Sequence, residues 1–131
     1  MRIEELSVGD WISDKNGITA QVRCIECWSD GYVVNVRTKA GTITNLTEAG
    51  VCPIPLLPKI LENNGFRKNG NYNEWNLGEW DDIPFIGISL DRQSMRIKNF
   101  GTDIFISCKV VYVHQLQRAL RLAQVMRKIE V

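Results

Sequence analysis

The 131-residue sequence predicts an α+β fold, and three observations carry that reading. Residues 6 to 56 are rich in β-branched side chains broken by NG, SDG and AG turns. A proline-rich PIPLLP then interrupts every regular pattern, and the closing stretch VVYVHQLQRALRLAQVMRK repeats apolar side chains at helical spacing.

Within the first segment, Gly31 to Lys39 alternates Tyr32, Val34 and Val36 against Val33, Asn35 and Arg37, the pattern of a strand with one buried face. The turn signals divide residues 1–55 into about five short strands, and closing such a sheet on itself protects its edges. A small barrel-like subdomain is therefore expected over 1–55. LSVGDWI, followed by NG and an alternating strand, also resembles the opening of small Tudor- or KOW-like barrels, over the first third of the chain.

Pro53, Pro55 and Pro58 cannot sit inside a sheet or helix, so PIPLLP marks the boundary to a second α+β subdomain, 56–131, expected to join the first in one compact unit. PKILENNGF fits a short helix, with Pro58 in its first turn, Ile60 and Leu61 inward and Gly65 as the left-handed stop over which Phe66 packs back. Three or four antiparallel strands follow: FRK and EWNL around NGN, then FIGISL, SMRIK and IFISCKVVY. A helix from Val113 to Lys128 closes the chain. At 100° per residue, Val113, Leu116, Ala119, Leu120, Ala123 and Met126 share one arc, and His114, Gln117, Arg118, Arg121, Gln124 and Lys128 the opposite one. Leu122, Val125 and Ile129 form a second apolar ridge, which must meet the barrel, a second copy of the chain or another protein.

Composition excludes several classes. With 44% hydrophobic and 24% charged residues, and no apolar run near the ~20 residues of a membrane span, the chain reads as a soluble globular protein. MRIEELSVGD lacks a secretory pattern, so the cytoplasm is the expected compartment, and the four cysteines are expected to be thiols. Net charge is +1, yet residues 1–91 hold 8 Lys and Arg against 13 Asp and Glu, whereas residues 92–131 hold 8 against 2. The C-terminal part is the cationic side.

Catalytic and cofactor patterns are missing. His114 is the single histidine, and no carboxylate lies within helical reach to orient it, so it reads as an outward polar residue near a helix start. CIEC supplies half a zinc site, but Cys52 and Cys108 stand alone, and three-residue spacing puts Cys24 and Cys27 on opposite faces of a strand. No metal or cofactor is expected. Neither GxxxxGKS/T nor GxGxxG occurs, nor GxSxG or HExxH. The sequence therefore points away from an enzyme. Two surfaces are candidates for a partner: the helix face of His114, Gln117, Arg118, Arg121 and Lys128, and the acidic, aromatic stretch EWNLGEWDDIPF with Trp75, Trp80, Asp81 and Asp82.

PIPLLPKILENNGF and YVHQLQRALRLA resemble small uncharacterised proteins of Bacteroidales phages, prophages and mobile elements, with Pro53 to Leu56, Asn64 to Phe66 and Val113 to Gln117 carrying the match. That resemblance implies an accessory protein acting on a host system, such as an inhibitor of a CRISPR nuclease or another antiphage defence. The expectation is a non-enzymatic protein that occupies a protein or ribonucleoprotein surface. Two alternatives are an RNA- or DNA-binding module using barrel and basic helix, and capture of a small nucleotide in a cleft.

Overall fold

A computed structural model describes residues 1–70, 73–78, 84–99 and 104–131. The chain forms two compact units, Met1–Ile54 and Pro55–Val131. Both are built on antiparallel sheets, and with two helices in the second the fold is α+β. Among the described residues no helix is long and apolar enough to cross a membrane.

In the first unit, β1 (Trp11–Ser13), β2 (Thr19–Trp28), β3 (Gly31–Thr38) and β4 (Ile43–Thr47) make a four-stranded meander in that order. The NG turn works as its chemistry demands: the Asp14 carboxylate accepts the Asn16 and Ile18 N–H groups while Gly17 takes φ +80°. The alternation in β3 holds, with Val34 and Val36 buried among Ile3, Leu6, Ile12, Ala20, Val22 and Val51. Pairing steps from Val22↔Val36 to Cys24↔Asn35, so Arg23 is the extra residue of a β-bulge, and the hairpin beyond it runs out into solvent.

The expected five-stranded barrel does not close. After the 3₁₀ turn Glu48–Gly50 the chain returns to β1 through a single bridge, Ser13 and Cys52 exchanging both N–H···O bonds at 2.9 and 2.8 Å. Pro53 follows at once and has no N–H to donate, so a fifth strand cannot propagate.

The second unit begins with an extended segment: Pro55 bridges Tyr112, and the Leu56 N–H donates to the Val111 carbonyl. Helix α1 (Pro58–Asn63) starts on proline and ends in a Schellman turn, with the Phe66 N–H on the Leu61 carbonyl, the Gly65 N–H on the Glu62 carbonyl, and Gly65 at φ +87°. There follow five antiparallel strands in sequence order, one in each of the five stretches named from the sequence: β5 (Arg67–Lys68), β6 (Glu74–Leu77), β7 (Phe85–Ser89), β8 (Ser94–Asn99) and β9 (Ile104–Lys109). Trp75, Ile86, Ile88, Met95 and Ile97 form its buried face. Helix α2 (Val113–Leu122) buries Val113, Leu116, Ala119 and Leu120, and the Asn99 side chain ties its end to β8 by donating to the Ala123 carbonyl.

Helix α2 stops six residues before the expected end. Gln124 takes φ +59°, the Val125 N–H bonds the Leu120 carbonyl and the Gln124 N–H the Arg121 carbonyl, which is a second Schellman turn without glycine. The remaining segment runs back to α1. There the Asn64 amide donates to the Glu130 and Ile60 carbonyls (2.7 Å each) and accepts the Glu130 N–H, while Arg127 donates to the Asn64 carbonyl. The expected ridge of Leu122, Val125 and Ile129 is therefore not a helical face: Leu122 is exposed, Val125 half-buried and Ile129 buried. Met126, expected inward, is fully exposed.

Candidate functional site

Of the helix residues singled out from the sequence, His114 and Gln117 are not on a solvent face. His114 is 2% exposed and stacks on Tyr112 at a centroid distance of 5.9 Å. The helical wheel misplaced both because the buried arc of α2 is wider than its apolar stripe, taking in His114 and Gln117 beside Val113, Leu116, Ala119 and Leu120. Arg118, Arg121 and Lys128 are exposed, but Lys128 lies beyond the helix. Trp75 is buried, with its indole N–H donating to Asn73, and so anchors the core rather than a partner. Trp80, Asp81 and Asp82 lie outside the described residues.

The residues that do converge come from the solvent face of the five-stranded sheet, where side chains alternate with the buried ones. Register builds two rows across the strands. One runs Glu74, Ser89, Ser94, Lys109; the next runs Arg67, Asn76, Gly87, Arg96, Ser107. Arg67, Arg96 and Lys109 are exposed, and Arg92 joins them from the β7–β8 turn. In that turn the Ser89 hydroxyl accepts the Arg92 N–H, and Gln93 takes the left-handed conformation at φ +52°.

Between these rows lies an open depression of about 220 Å³, lined by Glu74, Asn76, Arg92, Ser94, Arg96 and Ser107 around Gly87. Its floor is low because Gly87 carries no side chain: a Cβ there would stand 3.2 Å from the Phe85 ring and 3.3 Å from Asn76 Oδ1. Lys98 and Phe85 continue the face beyond it, buried, with Lys98 Nζ 5.7 Å from the ring centroid. Phe105, next in that row, is 59% exposed. The depression is thus lined by two guanidinium groups, the polar side chains of Asn76, Ser89, Ser94 and Ser107, and the Glu74 carboxylate.

The outer face of the first unit is arranged otherwise. Arg23 donates to Asn35 (3.0 Å), Asn35 donates to Asn45 (2.8 Å), and at the hairpin tip the Trp28 indole N–H donates to Glu26 (2.8 Å). Trp28 is nonetheless 58% exposed. Register places Cys24 opposite Asn35 on this face and Cys27 opposite Tyr32 on the other, so the CIEC thiols diverge. No three His, Cys, Asp or Glu side chains cluster as metal ligands among the described residues.

Comparison of the chain with family models, with curated proteins and with solved structures finds no match. The site is therefore read from its own chemistry.

Sequence reasoning missed this face although part of it was written in the strands. SMRIKN and IFISCK each alternate, so Ser94, Arg96 and Lys98 share a side, as do Phe105, Ser107 and Lys109. What no single strand reveals is the register that sets Arg96 between Gly87 and Ser107.

Proposed function

We propose that the chain is a non-enzymatic protein that binds a ribonucleoprotein, using the solvent face of its five-stranded sheet against the RNA of that partner. The observation that carries the reading is the row structure of the face: Arg92 and Arg96 line the depression, register sets Arg67 and Lys109 at the ends of its rows, and Glu74 is the one carboxylate among the described lining residues. Cations fixed across several strands match a phosphate backbone, whose binding is driven by counterion release. The exposed Phe105 supplies an apolar ring beside them, suited to stacking an unpaired base. Among the described residues the lining holds no paired general acid and base, which supports occupancy rather than turnover. Through the resemblance to Bacteroidales mobile-element proteins, a host defence complex such as a CRISPR effector is the partner class put forward, met in the cytoplasm.

A pull-down from host lysate tests this reading. RNA-containing complexes are expected to co-purify with the full chain, to be lost after ribonuclease treatment, and to be lost with R67A/R92A/R96A/K109A. An unchanged set of co-purifying species with that variant would contradict it. A second reading rests on Trp28: an exposed indole at the end of a hairpin is a typical protein-contact anchor, and W28A would then remove a protein that ribonuclease leaves in place.

A further inference from the structure

We infer that the groove at the end of α2 seats an acidic, amphipathic segment of a partner protein, with a large apolar side chain beside Val125 and Met126 and carboxylates on the cations around them. The groove shares no lining residue with the depression on the sheet, and the inference does not rest on the RNA-facing reading. Three observations lead there. First, the turn that ends α2 builds an apolar seat. The left-handed Gln124 reverses the chain, and the Arg127 N–H then bonds the Val125 carbonyl at 3.0 Å, closing a three-residue γ-turn with Met126 at its apex. Beside it lies a groove of about 380 Å³ lined by Arg121, Gln124, Val125, Met126, Arg127 and Lys128. Its walls are largely carbon, from Val125, Met126 and the aliphatic stems of the cations. Such a space admits one or two large apolar side chains.

Second, this apolar exposure is held in place. Ile129 is buried, the Asn64 side chain bonds Glu130 at both its N–H and its carbonyl, and Arg127 donates to the Asn64 carbonyl, so the segment carrying Met126 is pinned on its C-terminal side. Met126 is nonetheless fully exposed, and Leu122, the last residue of α2, is 61% exposed. A fixed aliphatic surface can be covered by a partner at little ordering cost.

Third, charge of one sign surrounds the seat. From Val113 to Ile129 the sequence holds Arg118, Arg121, Arg127 and Lys128 and no acidic residue. The exposed residues of α2 are Arg118, Arg121 and Leu122, with Arg118 and Leu122 one turn apart on the same face. Arg118 and Lys128 make no ion pair among the described residues, and Arg127 donates to a neutral carbonyl, so these three charges are not neutralised. Complementarity then calls for carboxylates flanking an apolar residue. Nucleic acid fits less well, because aliphatic walls offer no ring for a base to stack on. An anionic bilayer calls for a long apolar helix face, and the exposed ridge of α2 is a single leucine beside two arginines.

Fluorescence anisotropy on the full chain tests the assignment with two labelled peptides, one of leucine and glutamate at helical spacing and a counterpart with serine in place of leucine. Wild type is expected to bind the leucine peptide about tenfold more tightly than the serine peptide. L122S/M126S, changed at exposed positions, should remove that preference with the melting temperature unchanged. R118E/K128E should weaken the leucine peptide by about tenfold or more and flatten its salt dependence. R67A/R92A/R96A/K109A, on the sheet, should change it by less than about threefold, because exposed charges away from the seat are screened. Failure of wild type to bind the leucine peptide, equal binding of the two peptides, or binding that survives R118E/K128E overturns the assignment. Tighter binding to vesicles of phosphatidylcholine and phosphatidylserine, or a wild-type dimer in light scattering that L122S/M126S turns into a monomer, also overturns it, giving the groove to a lipid surface or to a second copy of the chain.

Discussion

The two sheets differ in where their polar side chains spend hydrogen bonds. On the first unit's outer face they bond one another: Arg23 to Asn35, Asn35 to Asn45, Trp28 to Glu26. In the second unit the comparable bonds lie off the face, where amide side chains fasten backbone segments: Asn64 to Glu130 and Ile60, Gln115 to the Val111 and Tyr112 N–H groups, and Asn99 to Ala123. Its solvent face carries Arg92, Arg96, Ser94 and Ser107 around an open depression. A polar surface that bonds itself resists fraying, while amides that fasten backbone segments hold in place the sheet that carries the open depression.

That contrast can be broken at its supports. The largest expected effect is at Asn64, whose side chain makes three backbone hydrogen bonds in a buried setting. Asn64→Ala should destabilise the second unit by about 2–4 kcal/mol in urea unfolding, because Glu130 and Ile60 lose partners that water cannot fully replace. A loss below about 1 kcal/mol would mean the C-terminal segment is held by something else. On the exposed ladder of the first unit, Asn35→Ala should cost only about 1 kcal/mol by the same measurement, since solvent re-satisfies Arg23 and Asn45. Equal losses at the two asparagines would erase the distinction.

A smaller effect of opposite sign is expected at the end of α2. Gln124 pays for a left-handed backbone that glycine adopts freely, so Gln124→Gly should stabilise the chain by roughly 0.5–1 kcal/mol, read as a higher melting temperature. The smallest effect is a pH dependence from Cys108 on the edge strand β9, where burial raises the thiol above its ordinary value. The native state holds that proton over a pH range where the unfolded chain has lost it. Its contribution is therefore complete below the unfolded pKa and is lost as pH climbs through the native one, on the alkaline side of about 9. Urea midpoints above that pH should fall less for Cys108→Ser than for wild type.

The two helix ends show why only part of this was legible. Helix α1 ends where the sequence says, because Gly65 meets two demands at once: φ of +87° and a site where Arg127 Nη2 would stand only 3.0 Å from an added Cβ. Helix α2 ends at a glutamine, which carries no such signal, so the apolar spacing of Leu122, Val125 and Ile129 invited six residues of helix that are not there. The motifs behind the family resemblance prove to be scaffold. Pro55 and Leu56 of PIPL pair with Tyr112 and Val111 just before α2, NGF closes α1 and grips the C-terminal segment, and Val113, His114, Leu116 and Gln117 of VHQLQ are buried. They specify an architecture and leave the depression on the second sheet to other residues. The depression itself depended on pairing between four strands, and Glu74, Asn76, Arg96 and Ser107 are far apart until register is known.

The central claim is that RNA meets the second sheet and not the first. Its most direct measurement is the affinity for single-stranded RNA across a salt series, comparing R67A/R92A/R96A/K109A with R23A/R37A. The former should lose about 100-fold or more at physiological salt and flatten the salt slope by three to four, and the latter should change affinity by less than about threefold. Equal losses in the two variants, or a steep slope surviving in the first, would contradict it.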